Sequence, residues 1–246
     1  MKNLSEEQQK GCINMKILVA CEESQAVCKE FRALGHEAYS CDIIDCSGGH
    51  PEWHIMQDVL PLLNGNCEFK TCNGQAHKID GKWDMIIAFP PCTYLTNCAT
   101  RSHSIRCTPL KKINERTLER IKAMDFFMKF VNADCEHIAI ENPIGVMNTC
   151  YRKPSQVINP YMFAESVNDT KNYVTKSTCL WLKGLSELIG NDLPKPNNAE
   201  IFGTHPNGKA RTWEESLCRA GGASLARSKT FPGVSKAMAE QWGGDK

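Results

Sequence analysis

The sequence carries almost no net charge. Its 246 residues include 29 lysines and arginines against 28 aspartates and glutamates, a balance of +1 at neutral pH. Proteins that coat nucleic acid without regard to sequence rely on a strong, overall basic field. That class is therefore excluded, and any contact with nucleic acid has to be local.

A long apolar run is also missing. No stretch approaches the roughly 18 apolar residues of a membrane-spanning helix, and the first twenty residues lack the apolar core of a signal peptide. We expect an intracellular, soluble protein without a membrane partner. Residues 1–14 are polar and aperiodic, which predicts an appended tail ahead of the first strand.

Cysteine, in contrast, is abundant. In a reducing compartment, most of the fourteen cysteines are expected to be small buried apolar residues rather than disulfides. The stretch "CEFKTCNGQAH" leaves two interpretations open. Cys67, Cys72 and His77, with cysteines 41 and 46 upstream, suggest a zinc site, although four residues separate the first two. The Asn-Gly pair between them instead indicates a plain β-hairpin without metal.

Apolar segments of two kinds alternate along the chain. Strands are predicted at "KILVA", "EAYSCDII", "WDMIIAF", "HIAIE" and "TCLWLKGL". Helices are predicted after Ser24, a possible N-cap, before "HIAIE", and at the terminal "VSKAMAEQWG". This alternation is typical of an α/β protein with a parallel sheet, here with a hairpin inserted near residues 66–80.

Reactive side chains follow three of these strands. Asp42 ends the second, Pro90-Pro91-Cys92 follow "WDMIIAF", and Glu141-Asn142-Pro143 end "HIAIE". In open parallel sheets, ligands bind beyond the carboxyl ends of the strands, so one pocket can collect all three. The prolines restrict the backbone and so hold a nucleophilic thiol in position. Glu141 suits a proton donor if burial raises its pKa.

Together, "FPPC" and "ENP", about fifty residues apart, resemble the motifs of the DNA cytosine C5-methyltransferase family. The resemblance extends over nearly everything after Met15 and is strongest to small phage-encoded members. It implies a Rossmann-like methyltransferase sheet that binds S-adenosylmethionine. It also implies that Cys92 attacks C6 of cytosine and that Glu141 protonates N3. Lys176 takes the place of an arginine that reaches the target base.

The same resemblance implies a cofactor site at the ends of the first strands. Asp42 corresponds to the acid that holds the ribose, and Asp58 to the one beside the adenine. The full set of cofactor-binding residues expected on this basis is Cys21, Glu22, Asp42, Ile43, Asp58, Val59 and Pro90. The chain departs from the family in the loop "ACEESQAV", where Glu22 and Glu23 stand in place of glycines and would direct two carboxylates at the cofactor.

The resemblance also divides the chain. It predicts a tail (1–14), a catalytic domain (15–182), a small recognition region (183–228) and a C-terminal helix that returns to the catalytic domain (229–246). The expected partner is duplex DNA with a flipped cytosine, in the cytoplasm of a phage host, and no metal is expected. The loop at Glu22 and Glu23 leaves a second function open, a catalytically inactive relative that binds a nucleotide or a host protein.

Overall fold

A seven-stranded sheet forms the centre of the computed structural model, which describes residues 14–97, 103–213, 215–216 and 228–244. The strands of this sheet are β1 (Lys16–Ala20), β2 (Glu37–Asp42), β3 (His54–Met56), β6 (Met85–Ala88), β7 (His137–Pro143), β8 (Gln156–Ile158) and β9 (Thr178–Lys183). Their order across the sheet is β3-β2-β1-β6-β7-β9-β8.

The sheet is mostly parallel. Neighbours pair in parallel from β3 through β7, whereas β9 runs antiparallel to both β7 and β8. Without the reversed strand, the order is that of a doubly wound nucleotide-binding sheet, in which the chain turns back beside the first strand. The expected α/β class with a mostly parallel sheet is therefore confirmed, and the strand order is compatible with a Rossmann-like fold.

Helices cover both faces of the sheet. They are α1 (Ala26–Ala33), α2 (Leu110–Val131), α3 (Met147–Cys150), α4 (Asn198–Phe202) and α5 (Pro232–Gly243). Successive residues of β1 alternate between two cores, because side chains of a strand point to opposite faces. Leu18 packs in the core under α2, and Ile17 in the core formed with α1 and α5. Double coverage explains why these strands read as unbroken apolar runs.

The predicted hairpin is confirmed. Strands β4 (Cys67–Lys70) and β5 (Ala76–Ile79) pair antiparallel as a separate two-stranded sheet. Gly74, in the turn between them, has a φ of +86°, which a glycine adopts without strain. Phe69 of β4 lies against the rings of Tyr39 and Trp83, so the hairpin packs on the main core.

The start of α1 differs from the prediction. Ser24 is not the N-cap; that position is Gln25, which has a left-handed φ of 57° and no capping hydrogen bond. The carboxylate of Glu22 instead accepts the backbone N–H groups of Val27 (2.6 Å) and Cys28 (3.2 Å). Because the first N–H groups of a helix have no partner within it, a buried acid there fills the capping role.

Two further expectations concern the chain as a whole. Among the cysteines that the structure describes, only four are buried, namely Cys28, Cys41, Cys135 and Cys179, so the expectation that most are core residues is wrong for this set. All of the described cysteines are free thiols. Across the described ranges, no helix has the length and apolar character needed to span a bilayer. The predicted tail lies, except for its last residue, outside the described residues.

Candidate active site

Two adjacent strand ends bring the predicted nucleophile and acid to one edge of the sheet. Ala88 of β6 stands opposite Ile140 of β7 in the parallel pair, and β7 continues past that point to Pro143 in its pair with β9. The link between them is Asn142, whose Nδ2 donates a hydrogen bond to the carbonyl of Pro90 at 2.7 Å. Asn142 is 1% exposed, which shields this bond from water. The "FPPC" and "ENP" segments are therefore directly joined.

The chain turns sharply at Cys92. Its carbonyl accepts the N–H groups of Leu95 (2.9 Å) and Thr96 (3.0 Å), while the residue itself is exposed. The backbone of the cysteine is thus held by a hydrogen-bonded turn, and Leu95 anchors that turn in the core. This arrangement presents a thiol at the surface from a fixed backbone, as a nucleophile requires.

A second set of bonds holds this turn against the loop that follows β7. The carbonyl of Leu95 accepts the N–H of Val146 at 2.8 Å, and Asn97 donates its N–H to the carbonyl of Ile144 at 3.2 Å. A Cβ on Gly145 would lie 2.0 Å from the Leu95 carbonyl oxygen, closer than any real contact. Only glycine fits there, which explains the residue in "ENPIG".

Glu141 is partly enclosed and has a perturbed acidity. Burial raises the pKa of its carboxyl, and this effect is opposed by the charge of Lys176 and by a hydrogen bond with Thr178. The net direction favours the protonated acid, the form that donates a proton. The three side chains line a cavity of about 30 Å³, together with residues 228–231.

Together with Lys229, Lys176 is one of two lysines that line this cavity. Its Nζ lies 5.7 Å from the ring centroid of Trp213 and 5.7 Å from that of Phe231. Both distances fall within the range of cation–π attraction, so the two aromatic rings hold the ammonium group in place. The structure therefore places two of the three residues predicted for catalysis, Glu141 and Lys176, on one cavity. Cys92 follows the neighbouring strand β6, is exposed, and is not among the residues that line that cavity.

The residues predicted for the cofactor lie at the ends of β1, β2 and β3. Burial raises the pKa of the Cys21 thiol, and the charges of Asp42 and Asp58 raise it further, which shows that both carboxylates are near it. Asp42 accepts the N–H of Ile43 at 2.7 Å, and the Ile43 side chain is 77% exposed. This leaves an apolar side chain directed at solvent beside the acid.

The remaining predicted cofactor residues differ in exposure. Asp58 is exposed and accepts the N–H of Leu60 at 3.0 Å, whereas Val59 next to it is buried. Pro90 is buried as well, and its carbonyl is the acceptor for Asn142. Asp42 and Asp58 thus present carboxylates near the ends of β2 and β3, while the side chains of Val59 and Pro90 are not available to a ligand at the surface.

The two glutamates of the "ACEES" loop have different surroundings. Both carboxylate oxygens of Glu22 bind the start of α1, so the prediction that this side chain faces the cofactor is wrong. Burial also raises the pKa of Glu22 to about 8. Glu23 accepts the N–H of Ser47 on Oε2 at 3.3 Å, and its Oε1 is buried without a hydrogen-bond partner. Glu23, 7% exposed, is therefore the acid with an oxygen to offer.

Gln25 is a functional residue that sequence reasoning missed. Its side-chain amide donates to the carbonyl of His50 at 2.8 Å, and its Oε1 accepts the His50 N–H at 3.0 Å. These two bonds hold the loop after β2 over the loop after β1. Lys229 reaches the same loop by donating to Ser47 Oγ at 2.9 Å. The feature that distinguishes Gln25 is its left-handed backbone, and no sequence pattern reveals that conformation.

The predicted recognition region carries a local basic surface. Lys195 and Lys176 line a polar groove of about 520 Å³ whose other lining residues are neutral. His205 contacts Glu215 at 3.1 Å, and the Nε of Arg211 is buried without a partner. Arg219 and Arg227, also assigned to this surface, lie outside the described residues.

The residues of the zinc alternative are not arranged around a common point. His77 is engaged through both ring nitrogens, with Tyr39 Oη at 2.9 Å and Thr71 Oγ1 at 3.3 Å. Cys67 is partly buried and Cys72 is exposed. Nowhere in the described part of the chain do three or more His, Cys, Asp or Glu side chains form a group that could hold a metal ion.

Comparison with known proteins adds no family to this geometry. No protein-family model matches the chain, and no curated protein matches it. The arrangement of side chains at the strand ends therefore carries the functional argument.

Proposed function

We propose that this protein transfers a methyl group from S-adenosylmethionine to C5 of cytosine in DNA through a covalent cysteine adduct. The observation that carries the proposal is the Asn142–Pro90 hydrogen bond, which joins the turn bearing Cys92 to the strand end bearing Glu141. A thiol and a raised-pKa acid held side by side match the two demands of this reaction, attack at C6 and protonation at N3.

The proposed steps follow from the positions of these side chains. The Cys92 thiolate forms a bond to C6 while Glu141 delivers its proton to N3, which moves electron density to C5. Lys176, held between two aromatic rings, donates to the base oxygen and keeps the ring beside the acid. After C5 has been methylated, a base removes its proton, the bond from sulfur to C6 breaks, and the N3 proton returns to Glu141.

In this proposal, the residues at the ends of β1 to β3 bind the methyl donor. S-adenosylmethionine would supply the methyl group as an electrophile on a sulfonium centre. The unpartnered Oε1 of Glu23 suits the ammonium group of its methionine part. Asp42 and Asp58 supply acceptors for sugar and adenine groups, and the exposed side chain of Ile43 supplies an apolar surface for the ring.

In this proposal, access of a base to Glu141 involves movement of the protein. The cavity of about 30 Å³ admits a water molecule and no cytosine ring. Residues 228–231 line this cavity, and in the proposed reaction they move aside when the base enters. A base reaches this depth only when it is out of the helical stack, so we propose duplex DNA with a flipped cytosine as the substrate, in the cytoplasm of the host cell.

The test uses duplex DNA in which 5-fluorocytosine replaces cytosine, incubated with S-adenosylmethionine. Because fluorine at C5 cannot leave as the proton does, the enzyme should remain covalently attached, which denaturing gel electrophoresis detects. Cys92→Ser should abolish the adduct, whereas Cys72→Ser, which changes an exposed thiol in the hairpin turn, should leave it intact. An adduct that survives Cys92→Ser excludes Cys92 as the nucleophile.

The departure of the "ACEES" loop from glycine favours one second candidate, an inactive relative that binds a nucleotide or a host protein. The same samples separate the two. Binding of S-adenosylmethionine by calorimetry, together with methyl transfer from a tritiated donor, supports the enzyme. Absence of both, in a protein that is folded by circular dichroism, supports the inactive relative. Glu141→Gln should bind the donor normally and lower the transfer rate about 10² to 10⁴-fold.

A further inference from the structure

Two arginines of α2 contact the turn that carries Cys92. Arg120 donates its Nε to the carbonyl of Tyr94 at 2.9 Å. The guanidinium of Arg116, one helical turn earlier, lies 5.1 Å from the centroid of the Tyr94 ring. Tyr94 is two residues beyond Cys92, so both positive charges contact the turn that carries the proposed nucleophile. Neither arginine belongs to the catalytic or cofactor residues described above.

A histidine completes the cluster. Burial lowers the pKa of His103, and the charges of Arg120 and Arg116 lower it further. Its Nε2 is buried and has no hydrogen-bond partner among the described residues. An unpartnered ring nitrogen from the segment before α2 therefore lies within electrostatic range of the two arginines that contact the turn.

This cluster has no counter-charge among the residues that the structure describes. Arg116 makes no hydrogen bond or ion pair there, and its Nε is buried without a partner. Glu119, the nearby acid on α2, pairs with Lys122 at 2.7 Å instead. After its bond to Tyr94, Arg120 keeps four N–H donors. Buried donors and adjacent like charges without an acceptor are costly, which makes the cluster a site for an anion.

We propose that Arg116, Arg120 and His103 bind a phosphate next to the cytosine that Cys92 attacks. The guanidinium group matches the geometry of phosphate with two parallel hydrogen bonds, and stacking on Tyr94 holds Arg116 ready for it. The inference rests on the proposed function for the identity of the base, while the anion site itself rests only on the cluster. Phosphate binding here would also pull on Tyr94 and so orient the turn that carries the thiol.

The test measures binding of the protein to a 30-base-pair duplex by fluorescence anisotropy at several salt concentrations, without cofactor. Each phosphate contact contributes about 0.9 to the slope of log affinity against log salt. Arg116→Leu should lower the slope by about this amount, and Arg116→Lys should restore part of it. Lys129→Ala removes a positive charge from the same helix, about 20 Å away, and should leave the slope unchanged.

A purely structural role predicts a different result. If Arg116 and Arg120 only brace the turn, Arg116→Leu weakens binding equally at all salt concentrations and the slope stays that of the wild type, which overturns the proposal. Arg120→Ala is a second variant, and it also removes the hydrogen bond to the Tyr94 carbonyl. If Arg120→Ala unfolds the chain, the result for Arg116→Leu decides alone, because no hydrogen bond of the described residues depends on Arg116.

Binding of small ligands identifies the source of the phosphate. Deoxycytidine 5′-monophosphate and deoxycytidine are each titrated into the wild type and Arg116→Leu. If the wild type prefers the monophosphate and Arg116→Leu does not, the bound group is the phosphate of a mononucleotide. If Arg116→Leu weakens binding of the duplex alone, the bound group is a phosphodiester of DNA. If Arg116→Leu binds every ligand as the wild type does, the site is rejected. If Arg116→Leu lowers the salt slope but the wild type forms no adduct with 5-fluorocytosine DNA, the anion site is retained and the proposed methyltransferase activity is rejected.

Discussion

The side-chain amide of Asn142 donates to the backbone carbonyl of Pro90 at 2.7 Å, across the parallel pair of β6 and β7. The parallel pair of β6 and β7 ends at Ala88 and Ile140, whereas β7 continues to Pro143 in its antiparallel pair with β9. The buried bond of Asn142 joins the two chains two residues beyond that parallel pair, and backbone bonds between residues 95–97 and 144–146 join them further on. The relative position of thiol and acid therefore depends in part on an asparagine that takes no part in bond making.

Replacement of this donor should separate the two motifs. Asn142→Asp keeps the shape of the side chain but turns an acceptor toward the Pro90 carbonyl. We expect a loss of about 1 to 3 kcal/mol in unfolding free energy, the cost of an unpaired buried group. Adduct formation with 5-fluorocytosine DNA should slow at least about tenfold, because misplaced reacting groups lose rate. Urea unfolding and the rate of adduct formation check the two effects.

The matched control is Asn66→Asp. Asn66 is exposed, and its Oδ1 only accepts the N–H of Gly81 at 2.8 Å, a role that an aspartate fulfils equally well. Wild-type stability and rate are expected there. If Asn142→Asp forms the adduct at the wild-type rate, the hydrogen bond does not align the site.

The pH dependence of the reaction should report on Glu141. Burial raises the pKa of this acid, and the hydrogen bond with Thr178 is one of two influences that lower it. Thr178→Val removes that bond, so the pKa of Glu141 rises further and the acid keeps its proton to higher pH. Because the proposed reaction requires the protonated form, the alkaline limb of the rate profile should move to higher pH.

Thr117→Val provides the comparison for that experiment. The hydroxyl of Thr117 donates a hydrogen bond to the carbonyl of Ile113 within α2, at the surface. Thr117→Val therefore removes a threonine hydroxyl bond that does not involve Glu141. Its profile should coincide with that of the wild type. An alkaline limb that stays in place in Thr178→Val, or moves to lower pH, argues against Glu141 as the proton donor.

Features that depend on interactions between residues close in the sequence could be predicted, whereas those that depend on distant partners could not. The strands, the hairpin and the position of Cys92 after two prolines depend on local patterns, and the structure contains each of them. Asn142 stood within a recognised motif, yet its partner Pro90 is 52 residues away. The inward turn of Glu22 was missed because its partners are backbone N–H groups, which leave no trace in side-chain patterns.

Recognition of the methyl donor should depend on Glu23. Its Oε1 is buried and unpartnered, so a bound ammonium group would gain a charge-assisted hydrogen bond. Such bonds contribute about 1.5 to 3 kcal/mol, so Glu23→Gln should weaken binding of S-adenosylmethionine by about tenfold or more. Calorimetric titration measures this. Methylthioadenosine, which lacks the amino acid, should bind both proteins alike; equal loss for the two ligands would place Glu23 away from the methionine end.

The stability of the fold should change with pH through Glu22. Burial raises the pKa of its carboxyl to about 8 in the folded protein, despite two backbone hydrogen bonds that lower it. An unfolded chain releases this proton near pH 4.5, so between these values the native state binds more protons than the unfolded state. The stability that Glu22 contributes is therefore full below about pH 4.5 and is lost as the pH rises through 8, by at most about 1.4 kcal/mol per pH unit.

Glu22→Gln carries no proton to lose, so its unfolding free energy should fall less steeply between pH 5 and pH 8 than that of the wild type. The amide offers a single acceptor to the two N–H groups of α1, so the variant loses about 1 kcal/mol of unfolding free energy, and this loss is the same at every pH. The slope of unfolding free energy against pH therefore reports only the proton of Glu22. Urea unfolding at half-unit intervals measures it, with Glu30→Gln on the same helix expected to retain the wild-type slope. Parallel curves for Glu22→Gln and the wild type would mean that Glu22 is ionised throughout this range, held by the start of α1 as a permanent charge.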